Sequence, residues 1–140
     1  MKKKNKFEPE NVSLLVKKSK TGLGLFAGEP IKKGVCLIEY VGRPIDEKEK
    51  YSSKSKYLFE INSRLTIDGG ARSNKARYIN HSCLGNSEIE IKNKRIFIFS
   101  TRKIKEGEEI TYDYGEEYFD EHIKPKGCKC VKCLKISIKK

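Results

Sequence analysis

The sequence predicts a mainly β fold. Three observations carry that reading. Short apolar runs rich in β-branched residues recur along the chain, each bounded by glycine, asparagine or lysine turns. Two of them, Glu88–Ile91 and Ile96–Phe99, alternate with the period of two that a strand requires. No segment sustains a long helical period.

A chain of 140 residues is enough for one domain with its own core. Apolar residues make up 36% and charged residues another 36%, so the core is small and the surface heavily charged. No apolar run approaches the roughly 18 residues of a membrane span, and the basic start, MKKKNKFEPE, has no apolar stretch behind it, which argues against a secretory signal. A reducing cytosol or nucleus follows, where clustered cysteines more often hold metal than form disulfides. The net charge of +12 sits in the tails. Residues 1–20 carry seven lysines against Glu8 and Glu10, and residues 124–140 carry seven lysines and no acid, while residues 21–123 balance seventeen bases with seventeen acids. A neutral body argues against specific nucleic-acid recognition. Basic tails suit loose contact with nucleic acid or chromatin.

Residues 1–11 read as a basic disordered arm. Val12–Val16 is a short strand. Lys20–Ala27 places Gly22 and Gly24 in a strand-like run, as a bulge, a hairpin turn or a place for close ligand approach. Ile31–Gly34 turns into Val35–Val41, a buried strand containing Cys36 as a small hydrophobe and ending in Tyr40. Residues 46–56 form an exposed loop or short helix. Tyr57–Ile61 and Leu65–Asp68 are strands about a turn at Asn62-Ser63, and Gly69-Gly70 breaks the chain. The hairpin 88–99 follows the segment Arg77-Tyr78-Ile79-Asn80-His81-Ser82-Cys83. Ile104–Gly107 repeats the Ile-Lys-x-Gly turn of Ile31–Gly34 and leads to Glu109–Gly115, again a strand with tyrosine at its end, so that the two tyrosine-bearing ends could converge.

Cys128, Cys130 and Cys133 form C-x-C-x-x-C among glycine and lysines, a setting that suits zinc rather than core packing. Cys83 is the natural fourth thiolate, which would close the site and make the metal structural; a disulfide pair or free thiols remain the alternatives. Tyr40, Tyr112 and Tyr114 read either as core aromatics or as the walls of a slot for a lysine side chain. His81 has no nucleophile motif beside it and no second histidine at ligand spacing, so a hydrolase reading is weak.

GLGLFA, EYVG, RYINHSC, ITYDYG and the terminal cysteines, in this order over residues 12–134, resemble SET-domain protein-lysine methyltransferases. The resemblance implies several small curved sheets with a pseudoknot-like C-terminal crossing and a short zinc-bound post-SET segment. It divides the chain into the arm 1–11, a SET domain 12–115 and a post-SET segment with basic tail, 116–140. It implies methyl transfer from S-adenosylmethionine to a lysine amine. Gly22, Leu23, Gly24, Tyr57, Arg77, Asn80 and His81 would contact the cofactor. Tyr114 would be the catalytic tyrosine, Tyr40 would line the lysine channel, and Tyr112 would tune the methyl count toward one or two. Cys83, Cys128, Cys130 and Cys133 would bind structural zinc.

The chain departs from the family pattern in three ways. Leu84-Gly85-Asn86 replaces the usual proline-bearing turn after NHSC, which keeps the asparagine but should loosen the turn. The last cysteine gap is two residues instead of four. No cysteine-rich segment precedes Val12, as expected of a minimal free-standing form whose substrate choice rests on residues 46–65 and the C-terminal segment. Histone tails are the first substrate expected, with the acidic run 116–121 facing a basic peptide. The rivals are a non-histone substrate and a silent SET-like binding module. A nuclear, chromatin-associated location follows (a host nucleus for a microbial or viral source), or else the cytoplasm.

Overall fold

The computed structural model describes residues 6–19, 22–55 and 57–114. Ten strands form three small sheets. β1 (Leu14–Ser19) pairs antiparallel with β2 (Gly22–Ala27) along its whole length, from Leu14↔Ala27 to Ser19↔Gly22. β3 (Cys36–Tyr40) leads to β4 (Arg43–Ile45) and to a short helix α1 (Glu47–Ser52), whose first turn is capped by the Asp46 carboxylate accepting from the Glu49 amide at 2.8 Å. β5 (Leu58–Asn62) and β6 (Leu65–Asp68) follow, then a 3-10 turn (Lys75–Tyr78) and the two-residue β7 (Asn80–His81). β8 (Ser87–Lys92), β9 (Arg95–Ser100) and β10 (Glu109–Tyr112) complete the order.

The sheets are ordered β1-β2-β10-β7, β3-β9-β8 and β4-β6-β5. The mainly β expectation is met by these three sheets. The β8–β9 hairpin turns through Asn93 and Lys94, both with positive φ (51° and 63°), as a two-residue turn matched to strand twist needs. β4 was not expected. It carries Pro44 and one buried side chain, Ile45, and survives because it lies at the edge of its sheet, where a missing amide is tolerated.

The core lies where the sheets meet. Leu25, Ile79, Ile96, Ile98 and Ile110 are fully enclosed there, with Tyr40 and Tyr112 in the same cluster. The two Ile-Lys-x-Gly turns are locked together. Ile31 and Ile104 form an antiparallel bridge with 2.8 Å hydrogen bonds in both directions, and Gly34 and Gly107 take the positive φ that ends each turn. Cys36 packs with Phe97 and Phe99, as a small hydrophobe should; burial first, then Glu10, Glu39 and Glu90, push its thiol up to about 11. Phe7, placed by its sequence in a loose arm, sits on this second cluster with its ring 5.4 Å from that of Phe97 and 5.7 Å from that of Phe99. The Glu10 amide donates to the Cys36 carbonyl at 2.8 Å. Among the described residues no helix is long and apolar enough to cross a membrane.

Candidate active site

β7 is short because it is bounded by the 3-10 turn before it and a tight turn after it. It runs parallel to β10, with Asn80 opposite Thr111 and His81 opposite Tyr112. Parallel pairing between segments this far apart in sequence threads residues 77–83 beside the last strand.

Asn86 and Gly85 hold this arrangement. The Asn86 side chain is buried, donates to the Glu109 carbonyl at 2.8 Å and accepts from the Thr111 amide at 3.1 Å, so it pairs with β10 as a strand would. A Cβ on Gly85 would lie 2.6 Å from Tyr112 Cα and 2.7 Å from the Thr111 carbonyl oxygen. The expected loosening of this turn is therefore corrected: the glycine lets the chain press against β10, and the asparagine fastens it.

His81 links the two segments. The Tyr114 amide donates to its Nδ1 at 3.0 Å, so Nδ1 keeps its lone pair and the ring proton sits on Nε2, 3.3 Å from Cys83 Sγ. Burial lowers the imidazole pKa and outweighs the opposing pull of Asp113, whose carboxylate oxygen is 3.7 Å from Nδ1. The ring is thus neutral, and its approach to Asp113 is a contact, not a full ion pair. The Tyr114 ring packs 5.3 Å from His81 and 5.0 Å from Tyr112, and its hydroxyl donates to the Ile79 carbonyl.

Asn80 ties the same segment to the glycine-bearing strand. Its amide nitrogen is 3.1 Å from the Leu23 carbonyl, 3.2 Å from Ser19 Oγ and 2.8 Å from Glu109 Oε2. Gly22 needs its glycine for φ of +114° and has open space beside it. At Gly24 an added Cβ would lie 2.5 Å from Glu109 Oε2, so the carboxylate would have to move.

Arg77, Tyr57 and Tyr40 form a second group. The Arg77 guanidinium lies between Tyr57 and Tyr78, 4.7 and 4.9 Å from their ring centres, and donates to the Gly70 carbonyl. Its Nε is buried without a hydrogen-bond partner among the described residues. The Tyr40 hydroxyl donates to the Tyr57 carbonyl at 2.7 Å. Asn74, fully buried, accepts from the Val41 amide at 3.1 Å and donates to the Gly69 carbonyl at 2.9 Å, which fixes the loop beside Tyr40.

Cys83 is half-buried, with its Sγ beside the His81 ring. Cys128, Cys130 and Cys133 lie outside the described residues. Among the described residues no group of three histidine, cysteine or acidic side chains could hold a metal. Sequence reasoning missed Asn74 and Glu109, and noted Asn86 as the asparagine retained after NHSC without assigning it a role.

Small sheets joined through a short segment that threads beside the final strand, with tyrosines, an asparagine and a neutral histidine gathered there, define a β domain with one polar site at its crossing. The family pattern described as the SET domain matches residues 22–115, and the chain belongs to the SET-domain family. It is 38% identical over 146 residues to the histone-lysine N-methyltransferase trr of Drosophila melanogaster, covering 95% of this chain and 6% of that protein. It is 41% identical over 132 residues to the histone-lysine N-methyltransferase ASHH3 of Arabidopsis thaliana, covering 82% and 36%. A humanized mutant of the Chaetomium thermophilum Polycomb Repressive Complex 2, bound to the inhibitor GSK126, superposes with a TM-score of 0.68 at 33% identity, over 74% of this chain and 15% of that one. The chain thus spans a minor part of each of these relatives.

Proposed function

We propose that this chain is a protein-lysine N-methyltransferase that uses S-adenosylmethionine, acts on histone tails and adds one or two methyl groups. The observation that carries this reading is the bond from the Tyr114 amide to His81 Nδ1. It joins the tyrosine strand to the Asn80–His81 segment at one place, as the family's reaction requires.

The residues present fit the cofactor. Arg77 Nε is a buried donor lacking a partner among the described residues, which suits a carboxylate. The Asn80 amide nitrogen is committed to protein acceptors, which leaves Oδ1 to receive an ammonium. Nothing lies within 4 Å of where a Cβ on Gly22 would sit, so the strand is open there. When bound, S-adenosylmethionine supplies a methyl group on a sulfonium cation. Arg77 and Asn80 would bind the amino-acid part, with Leu23, Gly24, Tyr57 and His81 around it.

The remaining work falls to the tyrosines. A substrate ammonium, with a pKa of about 10.4, must lose its proton before it can attack. A desolvated channel favours the neutral amine. The Tyr40 and Tyr114 hydroxyl protons are given to backbone carbonyls, so each phenol oxygen presents lone pairs to the amine N–H groups. That orients the amine lone pair along the line of displacement. Tyr112 adds a further hydroxyl to the channel wall, which favours one or two methyl groups.

The domain reading is part of this proposal: SET domain 12–115, post-SET segment 116–140. Cys83 fits a structural zinc site with Cys128, Cys130 and Cys133, since an imidazole N–H directed at its sulfur favours a thiolate. The metal would staple the C-terminal segment onto residues 77–83. The basic tails suit attachment to chromatin in a nucleus. Incubation with methyl-labelled S-adenosylmethionine and a histone mixture tests the reading. Label on a histone lysine, with the methyl count read by mass spectrometry, is the expected result. No transfer to any protein, together with no cofactor binding, would sink it.

A further inference from the structure

Glu109 belongs to none of the motifs that define the site, yet it touches two of them. Its backbone is pinned twice, by pairing with Phe26 in β2 and by the Asn86 amide on its carbonyl. Its carboxylate therefore projects from a fixed point. Oε2 accepts from Asn80 at 2.8 Å and occupies the space that a side chain at Gly24 would need. An asparagine amide can sit in either of two orientations, related by a half-turn, that exchange oxygen and nitrogen. Here three acceptors face the nitrogen: the Leu23 carbonyl, Ser19 Oγ and the Glu109 carboxylate. The carboxylate is the nearest of them, at 2.8 Å against 3.1 Å for the Leu23 carbonyl and 3.2 Å for Ser19 Oγ.

We infer that Glu109 is a positioning residue that locks the Asn80 amide with its oxygen outward, so that the site selects a ligand bearing an α-ammonium group. This rests on the methyltransferase reading above. Gly24 then has a defined purpose, since only glycine leaves room for the carboxylate that orients Asn80. Without Glu109, the amide loses its nearest acceptor and is held only by the Leu23 carbonyl and Ser19 Oγ, so it turns its nitrogen toward the ligand more readily, where it would face an ammonium with like-signed hydrogens.

The test is calorimetric binding of S-adenosylhomocysteine and of its counterpart lacking the α-amino group, to the full chain and its variants. The wild type is expected to prefer the amino form by about ten-fold or more. Glu109→Ala should lose most of that preference, and Glu109→Gln, whose amide oxygen can still accept from Asn80, should recover part of it. Gly24→Ala should copy the loss by displacing the carboxylate, and should do much less harm in the Glu109→Ala background, where the 2.5 Å contact is gone and only Asn80 Nδ2, 3.2 Å from the added carbon, remains. A purely structural Glu109 would lower the melting temperature of Glu109→Ala but leave the preference between the two ligands intact, and that result overturns the inference. Equal damage from Gly24→Ala with and without Glu109 also overturns it. If the wild type binds neither ligand, the methyltransferase reading falls and this inference with it.

Discussion

The β3-β9-β8 sheet and the β7–β10 crossing are built from different forces. In β9, Ile96, Phe97, Ile98 and Phe99 are all buried, and the hairpin with β8 keeps an unbroken register of six pairs. Its two faces feed two apolar clusters, so burial alone sets the register. The crossing has a two-residue strand, anchored in the core by Ile79, Ile110 and Tyr112. It is held by side chains bonded to distant backbone: Asn86 to β10, His81 to the Tyr114 amide, Tyr114 to Ile79. The sheet therefore resists change by packing, and the crossing by the packing of Ile79, Ile110 and Tyr112 together with a set of individual hydrogen bonds. The first kind of structure supports a scaffold. The second places polar groups at chosen points.

This contrast can be broken from either side. The largest loss of stability is expected from Phe97→Ala, about 3–5 kcal/mol for an enclosed aromatic ring, measured by urea denaturation. Any loss of ligand binding should follow unfolding and not precede it. Asn86→Ala comes next. It strands the Thr111 amide and the Glu109 carbonyl, which costs about 1–3 kcal/mol per group. Hydrogen exchange should then rise at Thr111 and Tyr114 first, while β8 and β9 stay protected; uniform exchange across both regions would erase the distinction between them.

Tyr114→Phe sharpens the comparison because stability and function should separate. Loss of one hydroxyl bond costs about 1 kcal/mol. The smallest effect lies at the rim of the crossing, at Arg102 and Glu108. Burial raises the Glu108 carboxyl, but Arg102, the Lys105 amide and Asn86 outweigh it and hold the pKa below the ordinary value. A depressed carboxyl stabilises the fold above its ordinary value and loses that contribution as pH falls through the folded-state value. Both side chains are partly exposed, so Glu108→Gln should cost only about 0.5 kcal/mol at neutral pH. The difference from wild type should vanish in acid, as read by denaturant melts across a pH series.

The same contrast explains what could be read from the sequence. The period-two run announced β8 and β-branched residues announced β3, whereas β9, also read as alternating, is a continuous apolar run buried on both faces. The four-residue repeat at Ile31 and Ile104 proved to be one bridged pair of turns. β4 escaped because Arg43-Pro44-Ile45 has no strand-like composition and exists only by pairing with β6. Asp46 and Glu49 carried a capping signal for α1, yet the segment was too polar to tell a short helix from a loop. Of the crossing, Arg77, Asn80, His81, Tyr112 and Tyr114 were legible through their resemblance to a family. Glu109, Asn74 and Gly85 were not, because their importance lies in contacts between residues far apart in the chain, which no local pattern records.

The central claim is that the crossing brings the cofactor-facing segment and Tyr114 to one reacting point. The most direct measurement is methyl transfer by Tyr114→Phe under single-turnover conditions, with S-adenosylmethionine binding measured on the same sample. The account predicts that transfer falls about 100-fold or more while binding changes by less than about three-fold, since the hydroxyl orients the reacting amine and the cofactor is held elsewhere. Transfer at the wild-type rate, or a loss of binding that matches the loss of transfer, would contradict it.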